Sequence, residues 1–376
     1  MSTLLAWRIL LHEKGRNALA VAGIFIAILM IFLQLGFYAS VPRAGMLVYN
    51  QLAFDIMLTS SDYVFQEQSY DFPRQRLYQA LSIPEVASVS PMYQGEAQWL
   101  NTTDRLRRDV FVMGFRLDDD SVRVPDIRRQ RSLLQRNDTV LVDNMTLPMY
   151  GPQTSGHVVE IADRAVEIAG SYLLGTGFLG LGAVVTSDLN FVRIFPGRSL
   201  DRINLGLVTL KDASDPAPAA ARLRALLPPD TRVFTRAELD AYEETFWRKR
   251  TSTGLVFGFG VIVSVVVGMV ILYQTLATQI IRHLPQYATF KAIGYTDGYL
   301  QRVVLSLALI TAGVAFVPAL ATAVMAYDKL RTLARLPIEM TPARVVMVLA
   351  IALTMSGATA LLAVSKVRRV DPADLF

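Results

Sequence analysis

Cysteine is absent from the 376 residues, which excludes disulfides and thiolate metal sites. Histidine is nearly absent: His12, His157 and His283 are scattered and form no metal-ligand spacing. Charge is scarce too. Asp, Glu, Lys and Arg make up 18% of the chain against 52% hydrophobic residues, too apolar for an ordinary soluble globule. No G-x-x-x-x-G-K-[ST] motif occurs, so the chain has no phosphate loop with which to hydrolyse ATP itself. No paired carboxylates and no nucleophile–histidine arrangement suggest a membrane enzyme. The net charge of +5 reflects basic residues beside apolar runs rather than a nucleic-acid surface.

A hydrocarbon layer about 30 Å thick needs roughly 20 apolar residues in a helix. Four runs reach that length without one Asp, Glu, Lys, Arg or His: Ala18–Val41, Thr253–Ile281, Val303–Tyr327 and Val345–Ser365. The first is too long for a signal-peptide core and reads as a retained anchor. Gln34, Gln274 and a few hydroxyls break the runs, and no charged residue does. Ion-coupled carriers place ionisable groups inside their spans, so this absence argues against a secondary transporter and against a polar conduction path. Charge bias does not orient the chain. Arg8, Lys14, Arg16, Arg282, Lys291, Arg302, Lys366, Arg368 and Arg369 flank one side, while Arg43, Arg248, Lys249, Arg250, Lys329, Arg331, Arg335 and Arg344 flank the other.

The long segment between the first two runs has strand and helix signals. RLYQALSIPEVASV and ARLRALLPPDTRVF echo each other: helix, proline, acidic residue, β-branched strand. Two such units suggest a ferredoxin-like α+β domain with an insertion at about 121–200, although coincidence in a common turn gives the same echo. RAELDAYEETFWRKR places Leu239, Tyr242 and Phe246 on one helical face and reads as a stalk entering the second run. Leu4, Trp7 and Leu11 oppose Arg8, His12 and Lys14, as in an interfacial amphipathic helix. GTGFLG at Gly175–Gly180 lacks the helix and acidic residue of a dinucleotide site, and a glycine-rich turn accounts for it better.

Gly254, Gly258, Gly260, Ser264 and Gly268 form two rows at four-residue spacing in the second run. Such rows permit a close helix seam, within the subunit or across a dimer, against the general enrichment of glycine in membrane helices. Pro318 suggests a kink in the third run. Between the second and third runs lies HLPQYATFKAIGYTDGYL. Pro285 suits a first helical turn, Gly294 a helix stop, and Thr296 or Asp297 the cap of the next helix. A short surface helix would expose Tyr287, Phe290, Lys291 and Tyr295. An interfacial aromatic belt fits the same residues equally well.

QYATFKAIGYTDGYL, together with RQRLYQAL, SVSPMYQGEAQW, TSDLNFVRIFP, INLGL, VILYQTL, LPIEMT and DPADLF, resembles the FtsX-like and MacB-like ABC transporter permeases, with a closer likeness to the DevC type named for the heterocyst glycolipid exporter. The resemblance covers most of the chain in collinear order. It departs at Gln286, where the family carries an acidic residue, and at Ser306 and Leu307, where close relatives carry Gln-Glu. What it implies is an α-helical membrane protein with four transmembrane helices and a large porter-like α+β extracytoplasmic domain between the first and second spans. The corresponding map is a cytoplasmic amphipathic helix at 1–17, spans at 18–41, 253–281, 303–327 and 345–365, and a periplasmic domain at 42–235. A stalk helix occupies 236–252, a coupling loop 282–302, a short periplasmic loop 328–344 and a cytoplasmic tail 366–376.

In that family the segment matching Pro285, Gln286, Tyr287, Ala288, Thr289, Phe290, Lys291, Ala292, Ile293, Gly294 and Tyr295 is the cytoplasmic helix that docks on a separate ATPase subunit. The resemblance thus implies a non-catalytic permease in the bacterial inner membrane with both termini cytoplasmic. It implies a homodimer, two ATPase subunits that bind the ATP, a periplasmic adaptor and an outer-membrane channel, with no cofactor of its own. Mechanotransmission would drive export of lipid, glycolipid or another amphipathic cargo. The alternatives are an FtsX-like regulator of periplasmic cell-wall hydrolases and a transmembrane receptor. The absence of a cytoplasmic domain weighs against the receptor.

Overall fold

The computed structural model describes residues 14–174, 182–211, 215–282, 297–333 and 336–367. In chain order the elements begin α1 (Lys14–Gly45), α2 (Leu47–Asn50), β1 (Ile56–Ser60), β2 (Phe72–Pro73), α3 (Gln75–Ala80), β3 (Val86–Leu100), β4 (Arg107–Phe115) and α4 (Pro125–Gln130). Next come β5 (Thr139–Asp143), β6 (Val158–Ile161), β7 (Arg164–Tyr172), β8 (Ala183–Ser187), α5 (Asp188–Ile194), β9 (Arg202–Ile203) and β10 (Leu205–Leu210). The chain ends with α6 (Pro216–Leu226), β11 (Thr231–Thr235), α7 (Arg236–Lys249), α8 (Ser252–Arg282), α9 (Asp297–Leu333) and α10 (Pro342–Val367). Two compact units result. One comprises Val41–Thr251 and Arg335–Pro337; the other comprises Met1–Ser40, Ser252–Ala334 and Ile338–Phe376.

The α/β unit is built on a nine-stranded sheet in the order β11-β1-β10-β3-β4-β8-β5-β7-β6. In β1 every residue is buried, because both faces of the sheet are covered. Ile56 and Leu58 join the core on one face with Leu77 of α3 and Leu223 of α6, while Met57 joins the other with Leu239 of α7. The first four strands interlock two β-α-β units. β10 lies between β1 and β3, β1 lies between β10 and β11, and the neighbours are antiparallel. This is the ferredoxin-like arrangement that the two echoing stretches suggested. The echo is also electrostatic. Arg76 on α3 pairs with Asp230 ahead of β11 at 2.7 Å, and Arg222 on α6 pairs with Glu85 ahead of β3.

Local chemistry fixes the helix starts. Asp215 caps α6 by accepting from the Ala217 amide, with Pro216 in the first turn. Thr235 and Glu238 form a capping box at α7. Gly206 lets α3 approach β10, since a methyl group there would come within 2.7 Å of Leu77.

The remaining strands extend this unit. β4 folds back on β3 from Leu100–Arg107 to Met92–Phe115, and β8 then pairs parallel to β4. β5, β7 and β6 follow, and β6 returns to the far end of β3 through Trp99–Ile161 and Leu100–Glu160. Six strands therefore close on themselves, around a buried Trp99 whose indole donates to the Tyr150 carbonyl at 3.0 Å. The departure from the four-strand unit begins with β4 at Arg107, ahead of the expected start near 121. β3 runs unbroken over 15 residues, with no turn or break in its sequence where one pairing partner gives way to another.

Among the described residues, four helices are long and apolar enough to cross a membrane: Val21–Gly45, Ser252–Arg282, Gln301–Leu333 and Pro342–Val364. The α/β unit lies between the first and the second along the chain. α9 runs past the expected limit at Tyr327 to Leu333 and is continuous through Pro318, which sits on its exposed side. Ala308, Ala312, Ala315, Ala319 and Ala323 form a fully buried stripe on α9. Ser264, Thr311, Ser356 and Thr359 return their hydroxyls to carbonyls one turn back, so these polar groups are satisfied without water.

Leu223→Ala is expected to cost the α/β unit about 2–5 kcal/mol, whereas Arg222→Ala should cost less than about 1 kcal/mol, because its partner is a surface ion pair. Thermal unfolding of the purified chain measures both.

Candidate functional site

The expected coupling segment, Pro285–Tyr295, lies outside the described residues. α8 ends before it at Arg282, and α9 starts after it at Asp297. The amphipathic residues Leu4, Trp7 and Leu11, the glycine-rich stretch at 175–180 and the C-terminal DPADLF also lie outside the described residues.

The small-residue rows of α8 are described. Gly258 lies beside Tyr38, where a methyl group would come within 3.2 Å of the ring. At Gly260 it would meet the Gln34 amide at 2.6 Å, and at Gly268 both Ala27 and Met355 at 3.0 Å. Ser264 is buried between them, and Gly254 is buried in the first turn. Gly23 answers from α1, where a methyl group would approach Ile271 to 2.8 Å. Phe37 and Phe257 stack at 5.0 Å further along. Three of the five small residues thus pack against α1 of the same chain, with α10 joining at Gly268.

A polar clamp sits elsewhere in the helical unit. The Tyr327 hydroxyl donates to the Phe32 carbonyl, in space opened by Gly36, where a methyl group would lie 2.7 Å from Ile338. Arg344 lies 5.6 Å over the Tyr327 ring and donates to the Glu339 carbonyl. LPIEMT therefore turns the chain from α9 into α10, and its charged neighbour is buried in the turn.

In the α/β unit, α7 docks where the chain has just left the first membrane helix and is about to enter the second. Its most buried residues are Leu239, Glu243 and Trp247. Tyr242 and Phe246 flank that face. Phe246 stacks on Phe65 at 4.8 Å, and Tyr242 lies 5.3 Å from Phe234. Trp247 fills the space left by Gly45 at the end of α1, where a methyl group would come within 2.0 Å of the indole nitrogen. Arg236 lies 4.7 Å over Phe54 and donates to the Tyr49 carbonyl at 2.9 Å. Arg232 lies 5.4 Å over both Phe234 and Tyr242 and donates to the Tyr63 carbonyl at 3.1 Å. α7 stops at Lys249, and Arg250 and Thr251 separate it from α8, so the expected stalk is interrupted before the membrane helix.

Glu243 is fully buried at the centre of this joint. One carboxyl oxygen accepts from the Tyr63 hydroxyl and the other from the Trp247 indole at 3.0 Å. The Tyr63 hydroxyl also meets that of Tyr49. Burial pushes the Glu243 carboxyl up to about 7, against the two hydrogen bonds, which favour the carboxylate. Burial also raises Tyr49 and Tyr63 well above the ordinary phenol range, so both are neutral donors. Sequence reasoning missed Glu243 because a glutamate beside Glu244 reads as part of a solvated face. The one available signal was its place four residues from both Leu239 and Trp247.

Residues 258–372 match the family described as FtsX-like permease C-terminal. The match takes in most of the second membrane helix, both helices that follow and the expected coupling segment. No curated protein matches the chain. Among solved structures, the chain is similar to the periplasmic region of MacB from Actinobacillus actinomycetemcomitans, at 14% identity and a TM-score of 0.37, over 52% of this chain and 94% of that one. It is also similar to the extracellular domain of the noncanonic ABC-type transporter YknZ from Gram-positive bacteria, at 12% identity and a TM-score of 0.33, over 48% of this chain and 99% of that one.

Gly45→Ala should drive the Trp247 indole from its site. The expected outcome is red-shifted tryptophan emission and a loss of about 1–3 kcal/mol in unfolding. An unchanged spectrum would mean that the indole does not depend on that glycine.

Proposed function

We propose that the chain is the permease subunit of an ABC-type exporter in the bacterial inner membrane, moved by a separate ATPase. The observation that carries this reading is the FtsX-like permease match over residues 258–372. It is supported by an α/β unit inserted between the first and second of four membrane helices. The segment Pro285–Tyr295 is the coupling helix, with Tyr287, Phe290 and Lys291 meeting the ATPase on the cytoplasmic side. Both termini are cytoplasmic, and the α/β unit works in the periplasm with an adaptor and an outer-membrane channel.

The apolar spans favour motion over conduction. None of the four runs contains an ionisable residue to serve as a relay or substrate ligand. A homodimer would transmit ATPase closure to the periplasmic units, and the cargo is lipid, glycolipid or another amphipathic molecule that need not cross between the helices. No cofactor is required of the permease, since the ATP sits on the partner subunit.

The test is affinity purification of the tagged chain from detergent-solubilised membranes, with mass spectrometry of what is retained. The wild type is expected to bring down an ABC ATPase and a periplasmic adaptor. The triple variant Tyr287→Ala, Phe290→Ala, Lys291→Ala should lose the ATPase and keep the adaptor. Absence of an ATPase from both preparations would overturn the transporter reading. An ATPase accompanied by an activator of cell-wall hydrolases, in place of an adaptor, would replace export with regulation.

A further inference from the structure

Glu243 is a buried acidic group on which, among the described residues, no opposite charge is a named influence. What acts on it is burial and two hydrogen bonds from neutral donors. α2 presents Tyr49, and the segment after β1 presents Tyr63. α7 itself presents Tyr242 and Trp247, with Glu244 turned outward to Arg248. The two nearby guanidinium groups are engaged elsewhere. Arg232 is held by the Tyr63 carbonyl and two rings, and Arg236 by the Tyr49 carbonyl, Asn50, Asp240 and the Phe54 ring. Arg43 lies in the last turn of α1, two residues before the glycine on which Trp247 rests.

The hydrogen-bond chain accommodates both protonation states. As a carboxylate, Glu243 accepts from Tyr63 and Trp247. As an acid, its proton is donated to the Tyr63 oxygen, and the Tyr63 O–H turns to the Tyr49 hydroxyl; Trp247 still donates to the other oxygen. The contacts survive either way, but only the acid removes a net charge from a fully buried site.

We propose that Glu243 is a proton-operated latch that fastens α7, the helix just before the second membrane helix, to the segment just after the first. Burial lifts its carboxyl from 4.5 to about 7 in the docked joint, and an undocked α7 would return it to water and to the ordinary value. The docked joint thus binds the proton more tightly. Its stability is full below about pH 4.5, declines between 4.5 and 7, and does not fall further above that window. The latch is a property of this joint alone, whatever partner moves the membrane helices.

The test uses the full chain in detergent micelles. Hydrogen–deuterium exchange over 236–249, corrected for the intrinsic pH dependence of amide exchange, should report about ten-fold more frequent opening at pH 8 than at pH 6. Glu243→Gln keeps a donor and an acceptor in place and should remove that pH dependence. Independently, 5-fluorotryptophan labelling with ¹⁹F NMR should show the Trp247 resonance titrating near pH 7 in the wild type. Tyr63→Phe should move that midpoint upward, because a hydrogen bond to the charged form is lost. A Trp247 resonance that stays fixed from pH 6 to 8, or the same ten-fold change in Glu243→Gln, would overturn the proposal.

Discussion

The α/β unit depends on one long ladder. β3 runs for 15 residues and has two different partners along one edge. Its first half pairs with β10 and its last residues pair with β6, while β4 lines the other edge. The ferredoxin-like unit and the closed strands beyond it are thereby one hydrogen-bonded body, with no linker between them. α3 and α6 cover one face of that body, and α7 covers the other through Leu239. α7 in turn has little choice of position. Leu239 is fixed in the sheet core, Trp247 is fixed by Gly45, and the glutamate between them must find its partners inside.

In the helical unit the constraint is different, since apolar side chains gain little from one another in lipid and close approach has to supply the packing. Two solutions coexist. α8 meets α1 through glycines, while α9 offers a stripe of alanines. Hydroxyls bond back along their own helices, and Arg344 is held by a carbonyl and an aromatic face within the α9–α10 turn. Ser264, Thr311, Ser356 and Thr359 are each satisfied within one turn of where they lie in the sequence, so these helices still read as apolar runs.

That clarity separates what was legible in the sequence from what was not. The spans follow from length and charge alone. The paired β-α-β units were legible because proline and acidic punctuation recurs at Pro84–Glu85 and at Pro228–Asp230. Sheet closure was not legible, because the Trp99–Ile161 pairing joins segments about 60 residues apart and nothing local in either one names its partner. On α7, the expected face of Leu239, Tyr242 and Phe246 was one notch off. Polarity hid Glu243, and Trp247 is buried only because a distant glycine leaves room for it. The alanine stripe of α9 was hidden by the opposite effect, since small apolar residues in an apolar run give no contrast. Within the candidate site, the packing of Gly258, Gly260 and Gly268 was legible as a seam, whereas its partner helix was a matter of tertiary structure.

The closing of the strands also changes how the domain meets other polypeptides. An open sheet has two free margins on which a foreign strand can crystallise, and each invites misassembly during synthesis. Here the end of β6 pairs back onto β3, so among the described residues β11 is the one strand of the nine-stranded sheet with a single partner. That margin is five residues long, follows Pro228 and Pro229, and carries Arg232 across to the neighbouring Tyr63 carbonyl. The α/β unit has in this way been left with one short margin on which a foreign strand could add.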